Sequence, residues 1–215
     1  MRDSSVLAEG LRPDARLALA YAPAHARAAV LGLLALDQRL GESIRGAREP
    51  VLAQLRLAWW RERLQTSQES EPEPLLAALQ PWGQHRAALA VLADGWEELI
   101  GEAPLRPEAL AACAAARGQG WAALAALLGH DPDEARRAGQ GWAAVDLAAG
   151  LSHPQERAAA QALAAAQDWS RPRLPRELRP LVVLHGLARR SGGHAPLLSG
   201  AGALGAALRL GLLGR

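Results

Sequence analysis

The chain has almost nothing from which to build a β-strand. Among its 215 residues Ile occurs only at positions 44 and 100, Thr only at 66, and Phe not at all. Val, Ile, Thr and the aromatics are the residues that suit a pleated, half-buried surface. Ala and Leu dominate instead, and both are strong helix formers. No segment alternates apolar and polar residues with period two, the signal of a half-buried strand. These features predict an all-α protein.

Proline and glycine punctuate the helices. Pro23 stands where a first-turn proline belongs and opens a long helix over 24–45. Its apolar residues Val30, Leu31, Leu33, Leu34, Leu36 and Leu40 form a stripe wide enough for a central position. A second helix is expected over 50–65, with Leu52, Leu55 and Trp59 as its buried stripe. On that register Trp59→Ala would carry the large cost of deleting a core aromatic, roughly 3–5 kcal/mol. Of the adjacent pair Trp59 and Trp60, which diverge by about 100°, one belongs in the core and one at its boundary. Further helices are predicted over 14–20, 75–79, 84–100, 107–128, 132–151, 154–168 and 175–190. An acidic Ser/Pro-rich loop covers 66–74. The tail 191–215 reads as weakly structured, because its glycines each cost roughly 1 kcal/mol in a helix interior. The expectation is a single α-helical domain, 1–215, of about eight helices.

Composition removes several classes of function. All 24 basic residues are Arg, yet 22 acidic residues leave a net charge of only +2. Because the two signs are interleaved, no basic patch suggests nucleic acid. The lone Cys113 excludes an intramolecular disulfide and a cysteine metal cluster. The six histidines are scattered, with no H-x-x-x-H pair. No apolar run approaches the ~20 residues of a spanning helix. Asp3 and Glu9 stand where a secretory leader would need basic and then apolar residues. A cytoplasmic protein is therefore expected, with peripheral contact at the inner face of the cytoplasmic membrane as a further expectation.

Three stretches are more specific than composition: YAPAHARAAVLGLLALDQRL at 21–40, REPVLAQLRLAWWRERL at 48–64 and LPRELRPLVVLHGLARR at 174–190. In that order and spacing they resemble the squalene/phytoene synthase superfamily. The likeness is nearest to short bacterial members and to the mitochondrial complex I assembly factor of that fold. It covers most of residues 12–190, although 65–129 matches only in helical pattern. It implies the all-α isoprenoid-synthase fold. It also places Tyr21, Arg27, Asp37, Arg56, Trp59, Trp60 and Asp146 at pocket or motif positions.

Members of that family join two isoprenyl diphosphates. The departing diphosphate is neutralised by Mg²⁺ held on two facing D-x-x-x-D helices, whose i and i+4 carboxylates share one face. Here Asp37 stands at the leading position, but position 41 is Gly, which has no ligand atom. Glu42 lies about 140° round the helix from Asp37. At the second position Asp146 is followed at i+4 by Gly150. Asp37 is instead expected to pair with an arginine such as Arg27 or Arg56, while facing the same central space as Asp146.

The resemblance therefore implies a catalytically degenerate relative with no metal or other cofactor. Its expected partners are an isoprenoid or other lipid, or a respiratory-complex subunit. The alternative is a Mg²⁺-dependent prenyltransferase condensing two isoprenyl diphosphates. A helical scaffold without any small-molecule ligand is a third reading.

Overall fold

The computed structural model describes residues 2–46, 49–66, 73–200 and 202–214. Within them the chain is entirely helical, with no strand. The helices are α1 (Arg2–Gly10), α2 (Pro13–Leu19), α3 (Ala24–Arg45), α4 (Pro50–Gln65), α5 (Pro74–Ala78), α6 (Ala90–Glu97), α7 (Pro107–Leu127), α8 (Asp133–Gly150), α9 (Pro154–Ala165), α10 (Arg179–Ser191) and α11 (Gly202–Leu213). Two 3-10 segments, Gln80–Leu89 and Arg176–Leu178, precede α6 and α10. Six of the helices open on proline at the first or second position (α2, α4, α5, α7, α9 and α10). There proline's fixed φ costs nothing and its missing N–H would have had no helical partner.

Among the described residues eleven α-helices stand against the expected eight or so, and the observed elements differ from the expected ones in three places. Helix α1 occupies a stretch for which the sequence signals predict no element. The span expected as one helix over 84–100 is a 3-10 segment followed by α6, with Gly83 at φ +48° breaking the helix before it. Within the glycine-rich tail, Gly202–Leu213 form α11. Most of the acidic loop, residues 67–72, lies outside the described residues.

Helices α7 and α8 run against each other along their lengths. Glycine lets them approach: a Cβ at Gly118 would lie 2.7 Å from the Arg136 carbonyl oxygen, and one at Gly139 would lie 2.8 Å from the Trp121 ring. These glycines serve a close helix contact. On the α7 side lie α3 and α6, and on the α8 side α9 and α10. Helix α3 is buried through Leu31–Asp37 and holds the centre, as its broad stripe predicts.

Helix α4 packs on α3 and α6 in a different register from the one expected. Its buried residues are Ala53, Leu57, Trp60 and Leu64, whereas Leu52, Leu55 and Trp59 face outward. Trp60 is 4% exposed and Trp59 43%. Their rings meet edge-on at 4.9 Å. The division into one core and one boundary tryptophan holds with the roles fixed this way, so the cost expected for Trp59→Ala belongs to Trp60→Ala.

Candidate functional site

Where α3, α6, α7 and α8 converge, the core contains charge. Asp37 on α3, Arg117 on α7 and Asp146 on α8 are all buried, and the side chain of Arg117 is 1% exposed. A buried guanidinium must find acceptors for its donors, or the desolvation cost would unfold a chain of ordinary stability. Arg117 finds them on both sides. Its Nε donates to Asp37 Oδ1 at 3.0 Å, and its Nη2 donates to Asp37 Oδ2 at 2.8 Å and to Asp146 Oδ2 at 2.7 Å. The paired bonds to Asp37 are the bidentate geometry for which a planar guanidinium is suited.

Neighbouring groups close the cluster. Trp96 Nε1 donates to Asp37 Oδ1 at 2.9 Å. Arg12, in the turn before α2, donates through Nη2 to Asp146 Oδ1 at 2.6 Å and lies 3.5 Å from Asp14 Oδ2. The Arg117 guanidinium carbon sits 4.4 Å from the Trp142 ring centroid and 5.1 Å from that of Trp96, so two indoles flank the cation.

The electrostatics follow from this closure. Burial alone would pull the Arg117 guanidinium down, but Asp37 and Asp146 outweigh it and hold it above its ordinary value. Burial pushes Asp146 up, yet Arg117 and Arg12 together bring its carboxyl below the usual range. Asp14 is raised, because burial outweighs its contact with Arg12. Cys113, near the cluster, is pushed up to about 12 by burial and is therefore an inert thiol at neutral pH.

The residues present do not fit a magnesium cluster. Both oxygens of Asp37 are committed to Arg117 and Trp96, and both of Asp146 to Arg117 and Arg12. A side chain at Gly41 would meet the Trp96 indole at 2.9 Å, so the space an i+4 carboxylate would need is filled. Around Gly150, in contrast, a Cβ would meet nothing within 4 Å. Among the described residues, no three or more His, Cys, Asp or Glu side chains gather to hold a metal ion. The space left between Asp37, Arg117, Trp96, Trp142 and Asp146 is about 20 Å³. That accommodates roughly one water molecule and no isoprenyl chain.

Of the positions implied by the resemblance, Asp37 and Asp146 are the two that enter the buried cluster. The pairing of Asp37 with Arg27 or Arg56 is replaced by Arg117. Arg27 is exposed and donates to the Leu19 carbonyl at 2.6 Å. Arg56, Trp59 and Trp60 instead line an outer groove of about 560 Å³ with Arg39, Glu42 and Glu73. Tyr21 lies at the C-terminal end of α2 beneath Gly211 of α11. Beyond the lone cation that Arg117 makes in the long alanine run of α7, nothing in the local sequence pattern points to Arg117, Trp96, Trp142 or Arg12 as members of the cluster. No protein-family model, curated protein or solved structure matches the chain.

Proposed function

We propose that the chain is a non-catalytic relative of the squalene/phytoene synthases that works by binding, as an assembly protein for a respiratory complex, rather than by prenyl transfer. One observation carries this reading: a protein guanidinium joins the two carboxylates that would have to face magnesium. Arg117 contributes to the centre a fixed positive charge that needs no diphosphate to hold it. The prenyl-diphosphate reaction needs cations that bind with the substrate and release with the product. A buried guanidinium whose Nε and Nη2 are locked on both carboxylates offers no such exchange.

An outward surface suits a binding role. Val51, Leu52, Leu55 and Trp59 are exposed along α4, and charges of both signs rim the adjoining groove, with Arg39 and Arg56 beside Glu42 and Glu73. An apolar patch with a mixed-charge rim is the composition of a protein–protein contact.

Two measurements test the proposal. Calorimetric titration with Mg²⁺ and farnesyl diphosphate should show no coupled binding, and incubation with both should yield no condensed product. Sub-micromolar coupled binding or turnover would replace this reading with the prenyltransferase. In the native host, deletion of the gene should lower the assembled respiratory complex and leave carotenoid and hopanoid content unchanged. The reverse pattern would refute the assembly role.

A further inference from the structure

Helix α11 is turned inside out relative to an ordinary surface helix. It buries Ala203, Ala207 and Gly211 and exposes Leu204, Leu208 and Leu212, which are between 54% and 70% exposed. These leucines are spaced i, i+4, i+8 and form one row, with exposed Leu213 beside it. The small residues allow the helix to lie close on the body: any Cβ at Gly211 would collide with the Tyr21 ring. A surface helix normally turns polar residues outward. Here the outward residues are the ones a core would bury.

The surroundings of that row are cationic. From Leu178 to Arg215 the chain has no Asp or Glu and five Arg. Beside the row a cleft of about 370 Å³ lies along the contact of α10 with α11, lined by Arg171, Arg189, Arg209, His185, Leu210 and Leu213 among others. Arg171 donates to the Gly214 carbonyl at 2.6 Å, and Arg189 and Arg209 have no ion-pair partner among the described residues. His185 is 2% exposed, and its buried Nε2 has no hydrogen-bond partner. The two acids nearest it, Glu134 and Asp168, are both engaged by Arg137. A buried polar atom without a partner calls for an explanation. Three guanidinium groups and an imidazole nitrogen around an apolar-edged cleft have the donor set for a phosphate.

We infer that α11 docks on an anionic phospholipid surface, with a lipid phosphate in the Arg171/Arg189/Arg209/His185 cleft and Leu204, Leu208 and Leu212 in the acyl boundary. Leu213 and Arg209 lie on both features, so one lipid can satisfy the two together. A second copy of the chain fits poorly, because the pairing would bring two all-arginine faces together. This inference does not depend on the reading of the buried aspartates.

The test uses the full chain in flotation with vesicles of phosphatidylcholine alone or with added phosphatidylglycerol. Binding should require phosphatidylglycerol. Arg189→Gln with Arg209→Gln should weaken it about tenfold or more, given that each arginine at such a surface contributes appreciably. Leu208→Ser with Leu212→Ser should weaken it as well, and all four side chains are exposed enough for the fold to survive. Equal binding to both vesicle types, or indifference to either pair of changes, would overturn the inference. So would inorganic phosphate or glycerol phosphate occupying the cleft as firmly as vesicles do, regardless of the leucines. A concentration-dependent dimer abolished by the leucine pair would assign the row to a second copy instead. None of these readouts involves Mg²⁺ or a prenyl diphosphate, so this test and that of the non-catalytic reading fail separately.

Discussion

The molecule has two arginine clusters that solve opposite problems. Around Arg117 the donors are answered by Asp37, Asp146 and the Ala143 carbonyl, and two indoles flank the cation. In the cleft under α11, Arg189 and Arg209 face no described acid, and a buried imidazole nitrogen is left without a partner. The difference is one of solvent. A cation in the core must bring its counter-charge from the same chain, because water cannot supply it. A cation at the rim remains hydrated and can keep its valences for something that arrives later. Compensated charge is therefore structural here, and uncompensated charge is available for binding.

The largest effect should come from breaking the closed cluster. Arg117→Ala strands Asp37 and Asp146 in the core, a loss of about 3–5 kcal/mol. Urea denaturation should show the fall directly, and further exchange of Asp37 and Asp146 for leucine should restore part of it. A loss below about 1 kcal/mol would mean that the cluster is solvated and the contrast false. Acid should act on the same cluster. Because Asp146 is held below its ordinary value, its contribution is present above the unfolded pKa and is lost as pH falls through the folded one.

The open cluster should respond to acid at higher pH. Burial, with Arg137 and Arg189, lowers His185 from 6.5 to about 4. The unfolded chain therefore binds a proton that the folded chain refuses between those values. Stability should be full above pH 6.5 and decline toward pH 4, by roughly 3 kcal/mol in total. His185→Leu should flatten this slope, which a set of denaturation curves across that range would reveal. Phosphate at constant ionic strength should soften it, since an anion in the cleft favours the imidazolium.

An intermediate effect is expected at Trp96. Trp96→Phe keeps an aromatic face near Arg117 but removes the N–H that donates to Asp37. A hydrogen bond to a charged group contributes about 1.5–3 kcal/mol, part of which a water entering the small central space could replace. The expected loss in chemical denaturation is about 1–2 kcal/mol. An unchanged midpoint would show that the indole N–H is not needed to hold Asp37.

How much of this was legible depended on where one residue type differed from its background. The helical class is plain, because strand formers are scarce and none alternate with polar residues. Asp37 and Asp146 stood out as acids in apolar helices, and both are central. Arg117 did not stand out, since every cation in the chain is Arg and most of them are exposed. Its partners come from helices 80 and 29 positions away, a juxtaposition that spacing within α7 cannot show. The register of α4 was ambiguous for another reason. Leu52, Leu55 and Trp59 make as good a stripe as Leu57, Trp60 and Leu64, and only docking on α3 and α6 chooses between them. In α11 glycine weighs against a helix by propensity, and the close approach to Tyr21 that Gly211 permits is a tertiary contact the sequence does not display.

The smallest effect is also the most discriminating. Arg189→Gln with Arg209→Gln should change stability by no more than about 0.5 kcal/mol, as surface changes away from packed features do. A slight gain is the favoured sign, because the two guanidinium groups share a cleft with Arg171 and no described acid, and removing like charges relieves repulsion. Anions should then separate the parent from the variant. A ligand that binds only the folded chain stabilises it by RT ln(1 + [L]/Kd), so phosphate should raise the parent melting temperature with concentration. The double variant should lose that rise while both proteins respond alike to sodium chloride. If the variant instead melted as far below the parent as Arg117→Ala does, these arginines would be structural, and the distinction between a closed and an open cluster would collapse.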